Sequence, residues 1–440
     1  MRPPGWLLAL ALAGASVASA QESAANPKKE IRQALDEAAQ AGRVQGGVVG
    51  MVEPLTLEQV RAAVERSALE VALARWDREA AKADVARWTG AALPSVTGFA
   101  SVNAGGGLLP QGFPRPVAWQ AGVGVRGTVR LLDPSTWAAA AAARRSLRGQ
   151  IATVSWARVQ ARQRATELYA TVVLEQEVAS ALQVALRSAE EDRAAVAELV
   201  AAGLRPRSDE ARTEADVADL TARQVEALGR AVEACVALQD LMAGTIDGAC
   251  PVVRGDLGAP EDGPNTHPAM VAAEEAVAAA KAGQASAVGA QLPTVTADGQ
   301  VAQYATPGGG GPGWGVGLSV DVPLRVLNEG RGELMDAAAA RGRAEESLDG
   351  QARALDAARV AAESRLKAAN AAMAARERAV DASSAALRQV QERYRAGLAN
   401  VSALLDARRA DVDAQVGLLR AEAERWAAVA AVEAARGVGG

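Results

Sequence analysis

Few side chains in this sequence are spaced for catalysis. His267 is the single histidine in 440 residues, and it lies in a Thr-His-Pro segment at a predicted helix start. A lone histidine in that position is more often structural than catalytic. No nucleophile is paired with a base, and the glycine runs at 105–107 and 308–311 lack the lysine and the strand–turn–helix context of a nucleotide site. The sequence therefore predicts no enzyme activity and no cofactor.

The two cysteines, Cys235 and Cys250, are 15 residues apart. In an oxidising compartment they could form a disulfide, and two unpaired small hydrophobic residues are the equally weighted alternative. Their spacing matches no metal-binding motif, so we expect no metal site. The formal net charge of −5 is mild and argues against a nucleic-acid-binding surface.

Residues 1–20 have the pattern of a secretory signal peptide. An arginine at position 2 precedes an apolar run at 6–18 that is too short to span a bilayer, and Ala-Ser-Ala at 18–20 is a small-residue cleavage site. We therefore expect export, with residues 21–53 as an N-terminal extension of no assigned role. Beyond residue 20 there is no stretch of 18 uninterrupted apolar residues. Any membrane span is therefore predicted to be a β-barrel.

A duplication organises the rest of the chain, in which three short motifs recur in the same order at offsets of 193 to 199 residues. The offset is too long for a solenoid repeat. It indicates a first repeat over 54–250 and a second over 251–440. The motif pairs are Leu-Pro-Ser/Thr-Val-Thr at 93–97 and 292–296, Gly-Val-Gly-Val/Leu at 122–125 and 315–318, and Ala-Gly-Leu at 202–204 and 396–398.

Long helices follow the second motif of each repeat. No proline interrupts residues 135–205 or the chain after Pro323, and both windows are rich in helix-forming residues. A helix over 135–202 would be about 100 Å long at 1.5 Å per residue, so we expect an elongated molecule. A heptad spacing in the second window predicts a coiled-coil seam. Its members are Leu366, Met373, Val380, Leu387 and Tyr394.

The segments before these helices alternate between apolar and small or polar residues, as strands with two different faces do. Four strands are predicted, over 96–103, 117–125, 295–304 and 314–322. Each approaches the 9–11 residues that a tilted strand needs to cross a bilayer. The glycine- and proline-rich segments after residues 104 and 305 are predicted to be exposed loops. Four strands cannot close a barrel, so they form a small sheet or join strands from other chains.

The ordered set of motifs resembles the outer-membrane efflux protein family, the TolC-type exit ducts, over residues 54–436. The supporting segments are Glu53–Val60, the paired Leu-Pro motifs, and Glu392–Leu398 followed by Leu404–Arg408. The resemblance implies a mainly helical fold with a small membrane β-barrel, built from a duplicated strand-hairpin and long-helix module. It implies a homotrimeric channel with twelve strands and a helical tunnel in the periplasm.

The resemblance also assigns roles to residues near the helix turns. Gly203 and Gly397 can adopt the left-handed conformation that ends a helix, and with Leu204 and Leu398 they would form periplasmic tips where adaptor proteins dock. In the family, acidic residues close the tip, and a tyrosine and an aspartate link neighbouring helix pairs. The matching residues here are Asp406, Tyr394 and Asp209, while Ala399 and Ala403 replace a basic and an acidic residue. Ordinary solvated helix acids remain the alternative for the two aspartates.

Strand alternation assigns one set of side chains to a lipid-facing surface, with Gly124 and Gly317 on the opposite, lumen-facing side. The predicted function is a passive outer-membrane exit duct of a tripartite efflux or type I secretion system, served by a periplasmic adaptor and an inner-membrane transporter. The alternative is a soluble periplasmic coiled-coil adaptor or scaffold. Drugs, metal cations and secreted proteins remain open as substrates. The predicted lipid-facing residues are Trp119, Val123, Val125, Trp314, Val316 and Leu318.

Overall fold

The computed structural model describes residues 55–105, 118–244, 258–264, 266–306, 309–323 and 329–439. The predicted signal peptide, the N-terminal extension and Cys250 lie outside these residues. Cys235 is disulfide-bonded, so the alternative in which this cysteine stays unpaired does not hold.

Each repeat contributes helices, a β-hairpin and a helix of more than 60 residues. The first half contains α1 (Leu57–Ser67), α2 (Leu69–Ala91), β1 (Ser95–Gly105), β2 (Ala118–Leu132), α3 (Pro134–Ala201) and α4 (Arg207–Leu241). The second half contains α5 (Pro268–Gly289), β3 (Thr294–Thr306), β4 (Gly309–Asp321), α6 (Glu329–Arg395) and α7 (Val401–Arg436). The predicted duplication of the hairpin and the long helix is confirmed.

The 68-residue helix α3 begins at a dense hydrogen-bonded cap. Asp133 is the N-cap: its Oδ1 accepts from the Thr136 backbone N–H at 3.0 Å and from the Ser135 hydroxyl at 2.7 Å. Its Oδ2 accepts from the Thr136 hydroxyl and from Arg130. Pro134 occupies the first helical position. Its ring fixes φ at a helical value, and it has no backbone N–H that would need a hydrogen-bond partner there. This cluster fixes the point where strand β2 becomes helix α3.

Helix α3 is the central element of the helical layer. Its N-terminal half lies between α2 and α5, and its C-terminal half packs on α4 and α7. Most of its buried side chains are alanine or valine, which let helices approach closely. The aromatic exception is Tyr169, which stacks on Trp426 of α7 at 6.3 Å and donates to the Leu55 carbonyl at 2.9 Å. The heptad residues predicted on α6 are half-buried, and α6 packs along α7.

The four strands form one antiparallel sheet in the order β1-β2-β3-β4. The pairing of β2 with β3 joins the hairpins of the two repeats into a single surface. Strands β1 and β4 are the two edges of this sheet, and neither edge has a further strand within the described part of the chain.

The second glycine-rich segment differs from its prediction as a loop. Residues 309–312 belong to β4 and pair with 303–306 of β3. Within this segment, Gly310 leaves room for the backbone of β3, because a Cβ added there would be 2.5 Å from the Tyr304 carbonyl oxygen. The ring of Tyr304 in turn covers the space beside Gly122 and Gly313. A Cβ added at either glycine would lie within 3.0 Å of that ring. Glycine here accommodates a neighbouring aromatic side chain, a cross-strand relation that local turn propensity does not contain.

We expect Asp133→Ala to destabilise the protein by about 1–2 kcal/mol, because it removes the side-chain cap of α3. Asp133→Asn keeps an oxygen acceptor for the Thr136 N–H and should cost less. Burial alone would raise the pKa of Asp133, but hydrogen bonds from Thr136 and Ser135 and the charge of Arg130 lower it from 3.8 to about 2. The contribution of the carboxylate is therefore present above about pH 4 and lost as the pH falls through about 2.

Helix loss on heating, followed by circular dichroism in detergent, measures this difference. The difference in thermal stability between the wild type and Asp133→Asn should become smaller as the pH falls from about 4 to about 2. A gap that does not change with pH would contradict the role of the charged carboxylate.

Candidate functional site

The six residues predicted to face lipid all lie on one face of the sheet. Directly opposed residues of an antiparallel pair share a face, and the register joins Val125 to Val301 and Val301 to Trp314. The remaining predicted residues alternate in phase with these. All six side chains are exposed in the single chain, from 38% for Trp119 to 81% for Trp314. The register places them on one apolar face, and their contact with lipid stays a prediction.

The opposite face of the sheet is polar. Arg126 of β2 donates to Gln300 Oε1 of β3 at 3.0 and 3.3 Å, and its guanidinium lies 5.2 Å from the centre of the Phe99 ring on β1. Thr128 and Asp298 are paired on this face, and Asp298 lies beside Gly317. The sheet therefore presents one apolar and one hydrogen-bonding surface.

Gly124 lies on the polar face, as predicted, but its environment is closed. A Cβ added there would be 2.3 Å from the Val301 carbonyl oxygen and 2.7 Å from the Ala302 Cα. A side chain at Gly124 would therefore displace the backbone of β3. Alternation by itself predicts that Gly124→Ser is harmless, and the structure contradicts this. Gly315, beside the side chain of Gln300 at 3.8 Å, has room for a small side chain.

Both long helices end in the same glycine turn. Gly203 and Gly397 have φ angles of 73° and 72°, as predicted for left-handed helix ends. After α3, the Gly203 N–H donates to the Val200 carbonyl at 3.0 Å and the Leu204 N–H donates to the Leu199 carbonyl at 2.9 Å. This is the Schellman arrangement, which satisfies the last carbonyls of the helix.

The turn after α6 repeats this pattern at 3.0 and 2.8 Å, with Tyr394 and Arg393 as the acceptors. The leucine that follows each glycine does not pack back on its own helix. Leu204 is 70% exposed and Leu398 is 72% exposed. Two apolar side chains are thus presented at equivalent positions of the two repeats.

Tyr394 and Asp209 lie in the same cluster but are not hydrogen-bonded to each other. Arg205 occupies the space between them: its guanidinium lies 5.3 Å from the Tyr394 ring centre, and its Nη1 is 3.9 Å from Asp209 Oδ2. The Tyr394 hydroxyl is buried and has no hydrogen-bond partner among the described residues. Burial raises the pKa of Tyr394. Within one chain, Arg205 therefore replaces the predicted tyrosine–aspartate bond.

Asp406 is exposed in the second turn of α7. Neighbouring Leu404 and Leu405 are buried, so the helix presents one apolar and one acidic side at this level. Ala403, where an acidic residue can occur in the family, is also exposed. The structure leaves the Asp406 carboxylate accessible, and its role in an aperture stays a prediction.

Sequence reasoning missed a buried charged cluster close to these residues. Arg408 of α7 donates to Asp216 Oδ2 of α4 at 3.0 Å and to Asp192 of α3. The side chains of Arg408 and Asp216 are only 4% and 5% exposed. Burial lowers the pKa of Arg408 and raises the pKa of Asp216. Arg408 lies in the Leu-Leu-Asp-Ala-Arg motif, but its partners lie 192 and 216 residues away in sequence. No local spacing could have identified them.

His267 has a structural role. Its Nδ1 accepts from the Ala269 N–H at 3.2 Å as the N-cap of α5, and its Nε2 lies 3.1 Å from the Ala434 carbonyl. Trp156 packs edge-on against the ring at 4.8 Å. In the residues that the structure describes, no group of three or more His, Cys, Asp or Glu is placed to hold a metal ion. None of the described helices is apolar enough along a sufficient length to span a membrane.

A protein-family model identifies the second repeat. Residues 264–438 match the model described as outer membrane efflux protein. The second half of the chain belongs to the outer membrane efflux protein family. The resemblance drawn from the motifs is confirmed. The predicted location, the outer membrane, is also the one in the family's description. No curated protein matches this chain significantly.

Solved structures extend the likeness to both repeats. The outer membrane channel CmeC of Campylobacter jejuni has a TM-score of 0.79 at 16% identity, over 87% of this chain and 85% of that one. The outer membrane protein VceC of Vibrio cholerae has a TM-score of 0.75 at 17% identity, over 87% of this chain and 96% of that one. The open-state MtrE outer membrane channel of Neisseria gonorrhoeae has a TM-score of 0.75 at 21% identity, over 87% of this chain and 89% of that one. The mainly helical fold with a small sheet is thus the fold of outer membrane channels.

We expect Arg408→Met to destabilise the protein by about 3–5 kcal/mol, because it leaves buried Asp216 without its counter-charge. Arg420→Met, at an exposed arginine of the same helix, should change stability by less than about 0.5 kcal/mol. Burial raises the pKa of Asp216, so the folded variant takes up a proton more readily than the unfolded chain. The loss in Arg408→Met should therefore shrink as the pH falls from about 7 to 5.

Thermal unfolding of the three proteins across this pH range provides the measurement. Equal losses of stability for Arg408→Met and Arg420→Met would show that the buried cluster does not stabilise the helical layer.

Proposed function

We propose that this protein is a passive homotrimeric exit duct in the bacterial outer membrane. It would carry substrates from an inner-membrane transporter and a periplasmic adaptor to the outside, in a tripartite efflux or type I secretion system. The two-faced sheet with two open edges is the observation that most supports this proposal. Family membership of the second repeat and the channel fold of the whole described chain support it further.

The open edges favour assembly from several copies. Strand β1 and helix α2 lie at one side of the layer, and strand β4 and helix α6 lie at the other. The β1 and β4 edges carry unpaired backbone groups, which are costly in hydrocarbon. Head-to-tail association would pair β4 of one copy with β1 of the next, and such an interface closes into a ring when the rotation allows it. Three copies would give the twelve strands that the family resemblance implies.

The apolar face of the sheet fits a membrane. From Trp119 to Leu131, β2 covers about 30 Å of height if it is tilted by about 40°, which equals the hydrocarbon thickness of a bilayer. Exposed tryptophans lie near both limits of this band: Trp119 at one end, and Trp88 and Trp137 in the helices that meet the other end. Tryptophan is typical of membrane–water interfaces.

The glycine turns are the proposed adaptor-docking tips. Each presents an exposed leucine directly after a rigid, hydrogen-bonded helix end. Apolar side chains that protrude from a fixed backbone can enter a partner's pocket at little cost in conformational entropy. The adaptor or scaffold alternative lacks such support, because a soluble protein would leave the apolar face of the sheet exposed to water.

Purification from outer-membrane fractions tests the assembly. Light scattering with correction for bound detergent should give three times the mass of the chain, and the purified protein should conduct ions across a planar bilayer. A stable, folded monomer without channel activity would overturn the proposal.

We expect Val123→Arg to impair membrane assembly, because an arginine on the lipid side costs about 2–4 kcal/mol near the bilayer centre. The matched control is Ser101→Arg on β1. Ser101 pairs with Gly122, so it lies on the polar face at nearly the same height. The amount of folded trimer in outer-membrane fractions provides the measurement, and Ser101→Arg should preserve it. Equal yields for both variants would show that the apolar face does not meet lipid.

We expect Asp406→Ala to reduce preference for cations in single-channel recordings. Three copies of this exposed carboxylate around the axis would concentrate cations, as acidic rings do in other pores. Asp381→Ala, at an exposed acid earlier on α6, should leave the preference unchanged. The recording is made at low salt, where screening is weak. If both variants retain the wild-type preference, Asp406 is an ordinary surface acid.

A further inference from the structure

One exposed stripe of α3 begins next to the sheet and combines an aromatic residue with cations. Trp137, Arg144, Arg148 and Ile151 are spaced by seven, four and three residues, which places them on one side of the helix. Trp137 is 46% exposed and Ile151 is 49% exposed. The two arginines are also exposed. We refer to these four residues as the α3 stripe.

Neither the described part of the chain nor an edge-to-edge neighbour covers the α3 stripe. The N-terminal half of α3 packs on α2 at one side and α5 at the other. It is therefore an interior helix of the layer, and head-to-tail association would add its contacts at α2 and α6 instead. The stripe consequently faces outward from the layer, toward either the surroundings or the lumen.

The stripe and its neighbours carry an excess of positive charge. Arg145 and Arg148 share one carboxylate, that of Glu275, at 3.4 and 3.7 Å. Arg144 has no hydrogen bond or ion pair with any described residue. Three guanidinium groups therefore face a single paired acid, which leaves a local charge that suits an anion.

The spacing along the helix matches the layers of a membrane interface. Trp137 lies in the first turn after the sheet, and Arg144 lies about 10 Å further along the helix at 1.5 Å per residue. Helical side chains point back toward the N-terminus, so the arginines reach toward the sheet. The proposed hydrocarbon band ends at Leu131, which places the indole in the interface and the guanidinium groups beside the phosphates.

We infer that the α3 stripe binds the head group of an anionic phospholipid in the periplasmic leaflet. Trp137 would contact the glycerol and upper acyl region, and Arg144 and Arg148 would bind the phosphate. This inference rests on the proposed outer-membrane location and adds a specific lipid partner to it. It also assigns the outward side of α3, which then faces the membrane and not the lumen.

The test is a titration of the full-length detergent-solubilised protein with phosphatidylglycerol at low ionic strength, followed by native mass spectrometry. Each arginine near an anionic surface strengthens binding about 5-fold. The double variant Arg144→Gln/Arg148→Gln should therefore raise the dissociation constant for the lipid roughly 30-fold. The lysine pair Arg144→Lys/Arg148→Lys should retain most of the binding, since phosphate accepts a point charge. The control pair, Arg187→Gln/Arg193→Gln, changes exposed arginines of α3 about 75 Å from Trp137 and should leave binding unchanged.

A second readout locates the stripe. Brominated phospholipid should quench more fluorescence in the wild type than in Trp137→Phe, since the indole at position 137 would contact the lipid. Unchanged lipid affinity in the glutamine pair, an equal loss in the distal pair, or equal quenching in Trp137→Phe would each overturn the inference. Conductance in a planar bilayer is measured on the same preparations. Channels that conduct normally without selective lipid binding would refute the lipid site and leave the proposed duct intact.

Discussion

The unpaired backbone groups at the two edges of the sheet are the constraint on which the rest of the structure depends. Four antiparallel strands satisfy their internal hydrogen bonds but leave β1 and β4 open. In a bilayer such edges are intolerable, because hydrocarbon supplies no alternative partner. The helical layer has the same two-edged organisation, with α3 inside and α2 and α6 at its sides. In the proposed duct, one chain would form a segment of a larger closed wall.

A wall one helix thick also explains the chemistry of the core. There is little volume between neighbouring helices, so alanine and valine fill most buried positions of α3. A few contacts between larger or charged side chains therefore determine how the helices pack. The stacked Tyr169–Trp426 pair fixes one region, and the Arg408–Asp216–Asp192 cluster fixes α7 against α3 and α4. Buried charges are costly to desolvate, but a set that satisfies its hydrogen bonds accepts only one arrangement of the helices.

The glycines show how identical residues serve unrelated purposes in this fold. Gly203 and Gly397 adopt positive φ angles and end helices, whereas Gly124 makes room for the backbone of β3. Gly122 and Gly313 accommodate the ring of Tyr304 from both sides. The first role can be predicted from a helical pattern that stops at Ala-Gly-Leu. The others cannot be predicted locally, because the crowding atoms come from a neighbouring strand, which for Gly122 and Gly124 belongs to the other repeat.

The sequence by itself determined the elements: the duplication, the long helices, the two-faced strands and the helix-ending turns. These follow from periodicity, proline placement and glycine, which act over a few neighbouring residues. Only the tertiary structure decided which elements pair and which side chains contact each other. It joined the two hairpins into one sheet, brought Arg408 to acids about 200 residues away, and placed Arg205 between Tyr394 and Asp209. Those outcomes depend on distances between segments far apart in the chain, and residue spacing does not encode them.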